Sequence, residues 1–183
     1  MTDYGWAGEL LWVDLTSGQI DKVPTSDFEP EKYLGGVGLN TKVFWDLGSP
    51  GVDAFDPESP LTISVGPLTG VSGPFNRAEV GGIAPQAYPQ ELHAYSGFGG
   101  KLPSELKYAG YVGIVIVGQA DRPVYLSIED EDAEIRDADD VWGSDTFDTQ
   151  QVLMARHPEA SVLTIGPAGE NLSRIAVILN ESA

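Results

Sequence analysis

Apolar and polar positions along this chain fall in short runs separated by Gly, Pro and Asp, and no single period is sustained. Residues 8–13 (GELLWV) and 19–23 (QIDKV) read as two strands joined by DLTSG, a hairpin with Gly18 at the turn. Residues 30–45 predict a helix redirected at Gly35-Gly36, with Leu39, Val43, Phe44 and Leu47 at helical spacing. The Pro- and Gly-rich stretch 46–60 is a loop. LTISV at 61–65 is a short buried strand, halted by Gly66-Pro67. YVGIVIV at 111–117 is the most apolar run, and its valines and isoleucines predict an interior strand. Residues 124–128 and 134–136 form a second hairpin around the acidic turn EDEDA, and 148–156 is helical. SVLTI at 161–165 is a strand, again halted by Gly-Pro, and IAVIL at 175–179 is the last strand.

The two halves share one order: hairpin, helix, short strand, Gly-Pro. LTISVGPLTG at 61–70 and SVLTIGPAGE at 161–170 are the closest matching points. This predicts an α+β fold of two similar β-sheets from an internal duplication, related by a pseudo-twofold and carrying short helices; chance similarity of two strand ends is the alternative. The elements lack a regular βαβ rhythm and the glycines lack GxGxxG spacing after a strand, so dinucleotide binding is poorly supported.

Composition narrows the classes. The 183 residues are 42% hydrophobic, enough for one sizeable domain or two small ones sharing a core. No run approaches the roughly 18 apolar residues that span a bilayer, and the N-terminus has no basic segment before an apolar one, so a cytoplasmic location is expected. A formal charge of -18 argues against nucleic acid or an anionic membrane as partner. Its scattered acids over an intact hydrophobic pattern suggest adaptation to high salt, the alternative being a merely acidic protein. With no cysteine, disulfides, thiolate zinc sites and iron–sulfur ligation from within these residues are excluded. A directly bound metal would be a hard ion held by oxygen. His93 and His157 lie far apart, and His157 reads as a solvated residue at a helix end.

Residues 71–118 differ from the rest. They hold three acids (Glu79, Glu91, Glu105), three bases (Arg77, Lys101, Lys107) and nine glycines, while the other 135 residues carry 25 acids and 7 bases. A neutral, glycine-rich island in an acidic chain suits an anionic ligand, because backbone N–H groups approach closely where repulsion is least. A long surface loop is the bland alternative.

Six blocks in order, YGWAGELLWVDLTSGQI, YLGGVGLNTKVF, VGPLTG, SELKYAGYVGIVIVGQADRPVYLSI, RDADDVWG and IGPAGENLSRIAVILN, resemble the N-terminal domain of the tungsten-containing aldehyde:ferredoxin oxidoreductases over residues 4–180. The resemblance implies that residues 1–183 form a tungstopterin-binding domain, truncated or split from the rest. It implies two pterins holding one tungsten, with their phosphates meeting at a magnesium ion, and a [4Fe–4S] cluster ligated by domains missing here. The implied reaction oxidises an aldehyde to a carboxylate and passes electrons to ferredoxin, in a homodimer; this fragment alone would be inactive. A non-catalytic scaffold or dimerisation module derived from the family is the rival, and an acidic flavin- or nucleotide-binding domain a weaker one.

By resemblance, Arg77 falls where the family has an arginine contacting the pterin phosphate, which suits bidentate guanidinium chemistry. The family's Asn-Ser-Gly-Gly corresponds to the region Tyr95, Ser96, Gly97, Phe98, Gly99, Gly100 and Lys101. Its asparagine, whose carbonyl meets magnesium, is replaced by either Tyr95 or Gly97, depending on where an insertion falls. Lys101 is an added charge that either neutralises phosphate or is solvated. GPAGEN at 166–171 reads either as functional or, the preferred reading, as architectural, Glu105 and Lys107 as flanking the central strand, and the four tryptophans as core or interface residues.

Overall fold

The computed structural model describes residues 5–48 and 51–180; the predicted loop positions 49–50, Tyr4 of the first matching block and residues 181–183 lie outside the described residues. The first hairpin forms as expected, β1 (Glu9–Asp14) against β2 (Gln19–Pro24). The helix redirected at Gly35-Gly36 is two helices, α1 (Pro30–Tyr33) and α2 (Val37–Leu47). The break is steric: Gly35 and Gly36 have φ of 138° and 53°. A Cβ on Gly35 would lie 2.5 Å from the Val65 carbonyl oxygen, so only glycine passes there.

Three further strands and one helix follow: β3 (Leu61–Val65), β4 (Ala78–Ala84), β5 (Leu92–Phe98) and α3 (Leu102–Tyr108). The apolar run forms β6 (Tyr111–Val117), and the second hairpin is β7 (Val124–Glu129) with β8 (Asp132–Asp137). The chain continues through α4 (Thr146–Arg156), β9 (Leu163–Thr164), α5 (Gly166–Glu170) and β10 (Leu179–Asn180). Asp145 caps α4 with its carboxylate, accepting from the backbone N–H groups of Phe147 and Asp148.

The α+β class holds. Among the described residues the strands divide into one six-stranded sheet, ordered β2-β1-β6-β3-β4-β5, and two two-stranded ladders, β7-β8 and β9-β10, not into two matching sheets. The two Gly-Pro junctions explain the difference. LTISV is flanked on both sides, by β6 and β4, and is buried along nearly its whole length. SVLTI contributes only the two-residue β9, and its Gly-Pro opens α5. IAVIL likewise pairs only at Leu179-Asn180, leaving Ile175 and Val177 exposed.

Every neighbouring pair in the large sheet is antiparallel except β1 with β6. One face carries Leu11, Val13, Ile63, Val65 and Tyr111, covered by Leu106 of α3 and by Leu126, Ile128 and Ile135 of the second hairpin. The other carries Leu10, Val112 and Val115 under Leu39 and Val43 of α2. Trp6 and Trp12 pack on this second cluster, whereas Trp45 and Trp142 are exposed. His157 is not simply solvated: its Nε2 lies 3.1 Å from the Tyr125 hydroxyl, joining the end of α4 to β7. No helix among the described residues is long and apolar enough to cross a membrane.

The acids crowd the surface, with residues 129–132, Glu134, Asp137, Asp139 and Asp140 all exposed around the second hairpin. Repulsion among them falls as salt shortens the screening length. The unfolding temperature is expected to rise by roughly 10 °C between 0.1 M and 2 M KCl. A scanning-calorimetry series that stays flat over that range would refute high-salt adaptation.

Candidate functional site

The glycine-rich island is not a long loop. Its first part is the β4–β5 hairpin at the edge of the large sheet, and its second is α3 leading into β6. The hairpin escapes a reading by apolar runs because its seven-residue strands, AEVGGIA and LHAYSGF, are rich in glycine and small residues. Register pairs Glu79 with Gly97 and Gly81 with Tyr95.

Four segments converge where β3 ends and β4 begins. The 66–77 loop is held by one buried hydroxyl: Thr69 Oγ1 accepts from the Gly66 N–H at 3.2 Å and lies 3.2 Å from the Arg77 carbonyl oxygen, to which it can donate. Lys107 of α3 donates through Nζ to the carbonyls of Gly66 at 3.2 Å and Pro67 at 2.5 Å. Burial pushes its pKa down. Lys107 is thus a clamp on the VGPLTG turn. The Gly36 N–H donates to the Val65 carbonyl at 3.3 Å, and Ser64 Oγ donates to the Gly36 carbonyl at 2.9 Å, which brings the start of α2 to the same place.

Of the predicted residues, Arg77 and Gly97 are brought together. A Cβ on Gly97 would stand 2.6 Å from Arg77 Nη2, and 2.5 and 2.8 Å from the two Glu79 carboxylate oxygens. The ends of a guanidinium and a carboxylate therefore already lie over the backbone at position 97, forming the walls of a small cradle that any side chain there would displace. Arg77 itself is exposed. The Glu79 stem passes close to Gly36, whose added Cβ would lie 3.4 Å from Cγ, and Asn40 Nδ2 donates to the Glu79 carbonyl at 2.7 Å.

Gly99 and Gly100 border this cradle with their carbonyls already engaged, by Asn180 Nδ2 at 2.7 Å and Asn76 Nδ2 at 2.6 Å. Each of these amides leaves its Oδ1 buried without a partner, an unmet acceptor beside the glycines. Phe98 points the other way and packs on the main core. Tyr95 and Ser96 are exposed on the edge strand, and the Lys101 carbonyl caps the first turn of α3, accepting from Ser104 and Glu105. Glu79, Asn76, Asn180 and Thr69 were not singled out from the sequence. Asn76 is Arg77's neighbour, but nothing in the local pattern marks Asn180, which arrives from 81 residues beyond Gly99. GPAGEN is architectural: Glu170 accepts from the Gly143 N–H at 2.9 Å, and a Cβ on Gly166 would strike Thr146.

Described residues offer no group of three or more acids or histidines suited to a metal. What they offer is an arginine whose N–H groups can donate to an anion, beside glycine backbone, a pairing suited to phosphate, and two unmet amide acceptors that would take N–H or O–H donors. The family described as "Aldehyde ferredoxin oxidoreductase, N-terminal domain" matches residues 10–183, and the chain belongs to that family. It is 38% identical to the tungsten-containing aldehyde ferredoxin oxidoreductase of Pyrococcus abyssi over 182 residues, covering 97% of this chain and 29% of that protein. It is 34% identical to an aliphatic sulfonate oxidoreductase, WOR-like subunit, of Pyrococcus furiosus, covering 97% of this chain and 31% of that protein. Among solved structures, the active-site complex BamBC of benzoyl coenzyme A reductase with 1,5-dienoyl-CoA matches with a TM-score of 0.91 at 39% identity, over 97% of this chain and 27% of that one. The chain thus spans under a third of the length of these relatives.

On the α2 side of the hairpin, His93 stacks on Phe44 with ring centroids 4.3 Å apart, its Nε2 buried without a partner. Burial lowers its pKa below that of a free imidazole. The unfolded state then binds this proton more readily, so the stability His93 contributes as a neutral ring is complete above about pH 6.5 and is lost as pH falls through its lowered folded value. His93→Phe is expected to flatten the decline in urea stability between pH 7 and pH 5. An unchanged pH slope would show that other groups set it.

Proposed function

We propose that this chain forms the cofactor cradle of a tungsten-pterin oxidoreductase, with Arg77 binding a pterin phosphate above Gly97. The observation that carries this is at position 97: the Arg77 guanidinium lies against the glycine backbone, where any side chain would displace it. Gly99 and Gly100 would border the pterin, their backbones fixed by Asn180 and Asn76. Of the two candidates for the backbone contact to magnesium, Gly97 is favoured over Tyr95, because it alone lies against Arg77. Lys101 lies at the start of α3 beside this segment and adds positive charge to it. When bound, the tungsten pterin supplies the two-electron redox chemistry, and this chain's share is to bind and orient it.

The family name supports aldehyde as substrate and ferredoxin as electron acceptor of the whole protein. In that reaction an aldehyde and water give a carboxylate, three protons and two electrons. The electrons would leave through a [4Fe–4S] cluster whose ligands come from polypeptide outside these residues, since they hold no cysteine. The relatives' names span aldehydes, aliphatic sulfonates and a coenzyme A thioester at similar identity to this chain. That spread favours placing substrate choice elsewhere in the protein, with catalysis also beyond this domain. We further place the protein in the cytoplasm, as a homodimer.

In the native assembly containing this chain, Arg77→Ala is expected to lower tungsten and pterin content at least about tenfold, by removing a charge-assisted bidentate contact. Arg77→Lys should retain an intermediate content. Full tungsten and pterin in Arg77→Ala, by elemental analysis and pterin fluorescence, would overturn the assignment.

A further inference from the structure

The same cradle contains a residue that a phosphate site does not explain. Glu79 directs both carboxylate oxygens to within 2.8 Å of where a Gly97 Cβ would stand, on a floor shared with the Arg77 guanidinium. The two side chains flank Gly97 without closing an ion pair, and neither has an ion-pair partner among the described residues. Behind it the Asn40 amide holds the Glu79 backbone carbonyl, and the Glu79 stem passes close to Gly36. A carboxylate facing bound phosphate is repulsive unless a cation stands between them. Magnesium is commonly held in just this way, by one or two carboxylates together with phosphate oxygens and waters.

Resting on the cofactor reading above, we propose that Glu79 supplies a carboxylate, directly or through a bound water, to the divalent cation accompanying the phosphate at Arg77. Glycine at 97 makes this possible. The resemblance puts an asparagine at this position or at 95 in the family, and an asparagine at 97 would occupy the space the Glu79 carboxylate takes here. A formal charge of -18 on the chain adds a general attraction for cations to this local one.

The test uses the native assembly, purified with Mn2+ in place of Mg2+ and titrated by electron paramagnetic resonance, with pterin content measured in parallel. Glu79→Gln is expected to keep pterin while weakening Mn2+ binding about tenfold. Should that variant yield no folded assembly, Glu79→Asp serves, with about threefold weakening expected. Wild-type Mn2+ affinity in the folded variant overturns the proposal, as does a wild-type assembly that holds pterin but binds no divalent ion. Arg77→Ala separates the two readings. Loss of pterin there, with normal Mn2+ binding in the Glu79 variant, removes only the role of Glu79; full pterin there removes the cofactor reading and Glu79 with it.

Discussion

The close approach of Gly35-Gly36 to the end of β3 is the constraint on which the rest of the site depends. The Gly36 N–H meets the Val65 carbonyl, Ser64 Oγ meets the Gly36 carbonyl, and no Cβ fits between Gly35 and that strand. Backbone against backbone fixes the start of α2 at the sheet's end. From there α2 sends Leu39 and Val43 into the core and Asn40 to the carbonyl of Glu79. The helix that closes one face of the sheet therefore also holds one wall of the cradle. Packing of the sheet and placement of the Glu79 backbone share a single support.

The opposite wall has a different origin. Thr69 is the only side chain of the 66–77 loop with under one-tenth of its surface exposed that bonds the loop to itself, linking Gly66 to the carbonyl of Arg77. Lys107 adds a second tie from α3, at the cost of burying an ammonium whose pKa falls as a result. Holding the backbone at Arg77 while leaving its guanidinium exposed suits an arginine that must meet a ligand. A loop is here made stiff by hydrogen bonds where it has little apolar surface to bury.

Elements whose apolar residues follow a clear period were legible in the sequence: both hairpins around Gly18 and the acidic turn, the split helix at Gly35-Gly36, and the interior strand YVGIVIV. The β4–β5 hairpin was not, because its strands are held by neighbours in the ladder and by the stacking of His93 on Phe44 more than by large apolar side chains. The internal likeness of LTISVGPLTG and SVLTIGPAGE was real as a local pattern. Yet tertiary context makes a central strand of one and a two-residue ladder of the other. Of the residues proposed for the site, Arg77 and the glycines stand out by resemblance. Glu79 does not, because its place beside Gly97 depends on cross-strand register with a residue 18 positions away, which no local pattern encodes.

The one parallel pair in the sheet, β1 with β6, also carries a kinetic consequence. Glu9 and Tyr111 are partners, so the chain must close a loop of about 100 residues before that ladder forms, an entropic cost on the order of 4 kcal/mol. During synthesis the first hairpin emerges long before its parallel neighbour exists and waits as an isolated two-stranded ribbon, marginal by itself. Sheet and cradle become possible only once β6 has left the ribosome. By then Gly35-Gly36, Arg77 and Gly97 are all available, so the core and one side of the cradle can form together, while the Asn180 tie to Gly99 waits for the rest of the chain.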